Sequence, residues 1–132
     1  MDQLLILETT LLVDLEREAH AGNPGPAHTF LEDHPDRGLA ITLTTAGELA
    51  CGPDSSSRRA WERLLSRFRI LEPNRETAWR YGQLYRFLKR NGTLIGTNDL
   101  WIAATALTHG APLVTRNLRD FQRVPDLEVL GY

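Results

Sequence analysis

Short apolar runs that alternate with helical patterns constrain this chain more than any other feature. The strand-like runs are Gln3–Leu7, Leu39–Leu43, Arg69–Leu71, Pro112–Thr115 and Glu128–Leu130. Helical patterns fall between them, at Thr9–His20, Pro26–His34, Thr44–Gly52, Asn74–Arg90 and Thr97–His109. A further helix is expected to be capped by the Asp54–Ser56 run and to extend to Phe68, with Trp61, Leu64 and Leu65 on its apolar side. Parallel strands need a long crossover and a helix supplies it, so this alternation predicts an α/β domain. The expected core is a mostly parallel central sheet of about five strands flanked by helices. With 132 residues the chain can bury one real core, so residues 1–132 are read as a single domain.

Finer expectations come from spacing. Leu12, Leu15 and Ala19 share one face of the first helix, and Ala78, Tyr81, Tyr85 and Leu88 share one side of the fifth. Asp14 reads as a solvated residue, and the single cysteine, Cys51, as a small buried hydrophobe. Leu11, Leu12 and Leu15 with Phe30 and Leu31 offer more apolar surface than one sheet face needs, so either a partner covers part of it or all of them belong to the core. The first apolar run lacks a basic start and is broken by Glu8 and Asp14, unlike a signal peptide. No run is long enough to span a membrane, so a cytoplasmic location is expected.

The net charge of −2 gives no global attraction to nucleic acid, although arginine supplies all the basic residues except Lys89. Arginine suits planar contacts to phosphate and carboxylate. Cysteine-based metal sites and disulfides are excluded by count, and the four histidines show no metal-ligand spacing. There is no glycine-rich phosphate loop, and the one lysine lies away from every strand end.

Ligands of open α/β sheets bind beyond the carboxyl ends of the strands, so the polar residues there carry the functional reading. After the first strand comes Glu8-Thr9-Thr10, and after the second "TTAGELACG", with Glu48 in a helix. The helix opening "TNDLWIAATA" carries Asp99, and after the fourth strand "TRNLRDF" holds Arg116, Asn117, Arg119 and Asp120. Each acid could serve only its helix start, where the macrodipole favours it by about 0.3–1 kcal/mol. Together, Glu8, Glu48 and Asp99 would repel one another unless a cation neutralised them. Hard oxygen ligands without cysteine or histidine point to Mg²⁺ or Mn²⁺, and such an ion commonly serves phosphoryl transfer.

The segments "LLILETTLLVDLERE", "ITLTTAGELACG" and "NDLWIAATALTHGAPLVTRNLRDFQRVPDLEVL" resemble the PIN-domain ribonucleases, above all the VapC-type toxins of toxin–antitoxin pairs. The resemblance implies a three-layer PIN-like fold and cleavage of RNA by metal-activated water. It also implies a homodimer, an RNA substrate and a small cognate antitoxin that seats a segment beside the first helices. The family's acids fall on Glu8, Glu48 and Asp99, which would hold the metal, and its variable fourth position on Asn117. Thr10, Thr115 and Arg116 match positions that arrange water and substrate. In one respect the sequence departs, because the family's first acid is ordinarily aspartate and Glu8 is longer by one methylene. Mg²⁺ tolerates little distortion of its octahedron. A catalytically weakened domain that binds RNA or antitoxin is therefore the alternative, and a metal phosphohydrolase acting on small molecules is a third.

Overall fold

The computed structural model describes residues 3–132. In chain order the elements are β1 (Leu4–Leu7), α1 (Thr9–Ala21), α2 (Pro26–Glu32), β2 (Gly38–Thr42), α3 (Leu43–Ala50), α4 (Arg58–Leu65) and β3 (Arg69–Leu71). They continue with α5 (Arg75–Arg90), α6 (Thr97–His109), β4 (Leu113–Val114), α7 (Leu118–Phe121) and β5 (Val129–Leu130). The five strands order as β3-β2-β1-β4-β5 and every pairing is parallel.

Alternation along β1 divides the core. Leu5 and Leu7 point to one face, where they meet Leu11, Leu12 and Leu15 of α1, Ala27 of α2, and Ala46 and Leu49 of α3. Ile6 points to the other, among Leu84 and Leu88 of α5, Leu100, Ile102 and Ala103 of α6, and Phe121. Helices therefore cover both faces, which is the three-layer arrangement expected. At roughly 25 cal/mol per Å² of apolar burial, these two clusters supply most of the driving force for folding.

Strand order also fixes where a ligand can bind. β1 leads to β2 and then β3 on one side, while β4 and β5 lie on the other. Connections thus diverge between β1 and β4, and a crevice opens at their carboxyl ends. Glu8 donates its N–H to the Val114 carbonyl at 2.9 Å there, and Thr115 N–H meets the Leu130 carbonyl at 2.9 Å.

Several local expectations are corrected. Leu43 begins α3 instead of ending β2, because the Thr42 hydroxyl accepts from Thr45 N–H and caps the helix. Residues Pro53–Ser55 form a 3₁₀ turn, Ser57 caps α4, and that helix stops at Leu65. On α5 the buried row is Thr77, Leu84 and Leu88 with Tyr81 beside it, while Tyr85 is exposed. Cys51 is exposed too, since α3 turns Ala46 and Leu49 inward and Cys51 lies on the opposite side. Leu11, Leu12 and Leu15 are wholly core, at 0–4% exposure, and offer no surface to a partner. A groove of about 330 Å³ does adjoin α1 on its other side, lined by Thr9, Val13, Arg17, Glu48, Leu49 and Leu64.

Candidate active site

Glu8 occupies the residue between β1 and α1 and has extended backbone (φ −80°, ψ 158°), as an N-cap requires. Its carboxylate accepts the Thr10 N–H at 3.1 Å and the Thr10 hydroxyl at 2.8 Å. The Thr115 hydroxyl, arriving from the end of β4, donates to the same oxygen at 2.5 Å. Both hydroxyls are themselves fixed by backbone: Thr10 accepts from Arg116 N–H (3.0 Å) and Thr115 from Asn117 N–H (2.9 Å). With Glu8 only 4% exposed, a charged acceptor here needs these donors, and it has three.

Glu48 reaches the same end of the sheet from α3. It accepts from the Thr9 hydroxyl at 2.6 Å and from the Asn98 amide at 3.4 Å. The Thr9 hydroxyl also lies 3.0 Å from that of Thr45, which packs under the helix start. Asn98 immediately precedes Asp99, so the second acid and the helix bearing the third are tied directly.

Asp99 lies in the first turn of α6, and among the described residues no protein donor meets its carboxylate. Burial, then the charges of Glu8, Glu48 and Asp120, push its pKa up to about 6. The three predicted acids are thus electrostatic neighbours. Asp120 joins them as a fourth, a residue the sequence had placed after the fourth strand without a role. Asn117 donates its side-chain amide to Asp120 at 3.1 Å, which explains the pairing of these two residues across one turn of α7.

Arg116 leaves this strand end toward α1, where its Nη1 contacts both oxygens of Asp14, at 2.9 and 3.1 Å. The Tyr132 hydroxyl donates to Asp14 at 2.6 Å. Burial and the adjoining Asp14 raise the pKa of Tyr132 above its ordinary value, so it remains a donor. Asp14 is therefore not the solvated residue expected; its side chain is 14% exposed. Thr9, Asn98 and Asp120 stand in the segments at the strand ends and helix starts without an assigned role, whereas only folding brings Asp14 and Tyr132 to this neighbourhood.

A separate group lies toward the last turn of α1, where Glu16, His20 and Asp54 bring ligand atoms within 4.8 Å of one another. His20 pairs with Asp54, 34 positions away, at 3.2 Å on an exposed surface.

The PIN-domain model matches residues 6–127, nearly the whole chain. The chain belongs to the PIN-domain family. This PIN domain is 42% identical over 136 residues to the ribonuclease VapC of Rickettsia bellii, covering 96% of this chain and 94% of that one. Among solved structures it resembles VapBC2 from Rickettsia felis bound to a promoter DNA fragment, with TM-score 0.81, 29% identity and coverage of 98% and 99%. It also resembles a toxin–antitoxin complex from Klebsiella pneumoniae, with TM-score 0.71, 29% identity and coverage of 93% and 94%. The PIN domain has, among its described residues, no helix long and apolar enough to cross a membrane.

Proposed function

We propose that this PIN domain is the toxin of a type II toxin–antitoxin pair and acts as a Mg²⁺- or Mn²⁺-dependent endoribonuclease. The observation that carries the reading is the convergence of Glu8, Glu48 and Asp99 at the β1–β4 crevice. There, among the described residues, no donor meets Asp99, and burial followed by its acidic neighbours raises its pKa. An all-oxygen set under mutual repulsion fits a hard divalent cation, which would relieve the repulsion and favour the charged form of Asp99.

In this reading Glu8, Glu48 and Asp99 hold the cation. Thr10 and Thr115 fix the carboxylate plane of Glu8, Thr9 and Asn98 that of Glu48, and Asp120 orients the Asn117 amide. The bound cation supplies activation of a water for attack on a phosphodiester and neutralises charge that develops on the phosphate. Arg116 would meet the substrate backbone at the rim. The cognate antitoxin would lie in the groove on α1, which runs from Leu64 to Thr9 and Glu48 and so ends at the acids. A homodimer belongs to the same proposal, and light scattering of the purified chain tests it.

The second reading, a catalytically weakened domain, is favoured by one observation. Glu8 stands where the family's aspartate is ordinary, and its carboxylate is already engaged by three donors. Incubating the purified chain with single-stranded RNA in Mg²⁺, in Mn²⁺ and in chelator decides between them. Cleavage that needs the ion and disappears in Asp99→Asn supports the enzyme; RNA or antitoxin binding without cleavage supports the second reading.

A further inference from the structure

Resting on the ribonuclease reading, we infer that Asp14 and Tyr132 form a fixed anchor that holds Arg116 as a phosphate-binding fork beside the acids. The acidic crevice repels a polyanion, so binding RNA there calls for a cation at its rim. Arg116 stands between Thr115, which donates to Glu8, and Asn117, and its own N–H is bound by Thr10 at 3.0 Å. Its backbone is therefore as rigid as the site itself.

The side chain is held in an unusual way. Arg116 uses Nη1 alone for both oxygens of Asp14. Among the described residues, Nη2 and Nε meet no acceptor, and the side chain is 53% exposed. A purely structural arginine–carboxylate pair commonly spends two nitrogens in a parallel fork. Here one corner is pinned and the remaining donors face solvent, in the planar pattern that suits a phosphate. Asp14 is in turn fixed by the Tyr132 hydroxyl at 2.6 Å, while Arg17 approaches it only to 3.9 Å. The anchor thus removes most of the rotamer freedom that an exposed arginine would otherwise lose on binding. Asp14 and Tyr132 are positioning residues, acting through Arg116.

The test uses the full chain and a fluorescein-labelled single-stranded RNA. Binding is followed by anisotropy in Ca²⁺ over a range of salt, and cleavage by steady-state kinetics in Mg²⁺ or Mn²⁺. Arg116→Ala should weaken binding about tenfold and flatten the dependence of log K on log salt by about 0.7, one phosphate contact to a single strand. Asp14→Asn and Tyr132→Phe should each weaken binding by about three- to tenfold, the scale of ordering one long side chain. The loss should fall more on KM than on kcat, and it should vanish in the Arg116→Ala background. Tighter binding by Asp14→Asn would make Asp14 a competitor for the guanidinium and overturn the anchor. Equal losses with and without Arg116 would overturn it as well. Tyr132→Phe removes only one hydroxyl and answers the question even where Asp14→Asn fails to fold. A parent that binds RNA as tightly as both variants sinks the anchor alone. A parent that neither binds nor cleaves RNA sinks the ribonuclease reading beneath it.

Discussion

Glu18 and Asp99 are carboxylates on two helices of one small domain, and their proton affinities move in opposite directions. Glu18, on α1, reaches across to the start of α2. It accepts from the N–H groups of Gly25, Ala27 and His28 at 2.8, 2.9 and 3.0 Å, and from the His28 ring at 2.7 Å. Burial alone would raise its pKa, but the donors outweigh burial and lower it to about 2. Asp99 is also penalised by burial, meets no donor among the described residues, and faces acids, so its pKa rises to about 6. The difference separates a carboxylate whose partners are built into the fold from one that lacks a partner. Glu18 caps a helix that has no side-chain cap of its own.

The largest expected effect breaks the Asp99 side of the comparison. Asp99→Asn should lower divalent-stimulated RNA cleavage by about a hundredfold or more, the scale seen when one group stabilising transition-state charge is removed. In chelator the same variant should melt higher than the parent, because a repelled charge is gone. A variant that cleaves as the parent does would show the acids to be the wrong site.

Next comes the Glu18 side. Glu18→Gln sets an amide against N–H donors and should cost about 2–3 kcal/mol of stability, read as a lower denaturant midpoint. Cleavage at room temperature should persist, since Glu18 touches none of the three acids. A midpoint equal to the parent's would remove the latch between α1 and α2 from the account.

Titration sharpens the contrast, with the sign set by each shift. Glu18 has a lowered folded pKa, so its contribution is present above about 4.5 and is lost as pH falls toward about 2. Asp99 has a raised one, so in metal-free protein it favours the fold below its ordinary value of 3.8 and weakens it as pH rises through about 6. That weakening should amount to about 1–2 kcal/mol after solvent screening. Melting curves in chelator at pH 5 and 7, compared between parent and Asp99→Asn, isolate it. A pH difference unchanged by the substitution would assign it to other groups. Over the same interval divalent-ion binding should weaken toward pH 5, because the proton and the cation compete for one carboxylate.

Glu8 lies between the two extremes, with three donors and a place among the acids. On the proposal that Glu8 is a metal ligand lengthened by one methylene, Glu8→Asp should raise Mg²⁺-dependent cleavage several-fold and Mn²⁺-dependent cleavage less. About 1 Å of displacement is enough for such an effect. Parallel single-turnover assays measure it. No gain in Mg²⁺ would mean that the hydroxyls of Thr10 and Thr115 have settled the longer side chain into a competent position.

Much of this was legible in the residues themselves. Period-two and period-3.6 patterns predicted the α/β class, because burial of an apolar stripe is a local property of spacing. Glu8 and Asp99 were legible because one follows a strand and the other opens a helix, whereas Glu48 lies late in α3 and not in the first turns expected of it. The roles of Asp14 and Tyr132 and the exposure of Cys51 were not legible. Asp14 meets a tyrosine 118 positions away and an arginine 102 away, and no local pattern encodes such a contact. Cys51 was misjudged because its residue type outweighed its position past a helix whose apolar side lies elsewhere. Spacing alone leaves Leu11, Leu12 and Leu15 open between core and partner surface, and only the packing of α1 on the sheet settles them as core. By itself the sequence determined which segments are strands, which are helices, and which carboxylates stand at strand ends. Tertiary structure alone decided which of those carboxylates are satisfied. Thr115 brings a donor to Glu8 from the end of β4, and Glu18 meets its donors only when α2 folds back on α1. Among the described residues Asp99 meets no donor and faces the charges of Glu8, Glu48 and Asp120, a balance that exists only once β1, β4, α3 and α6 have met.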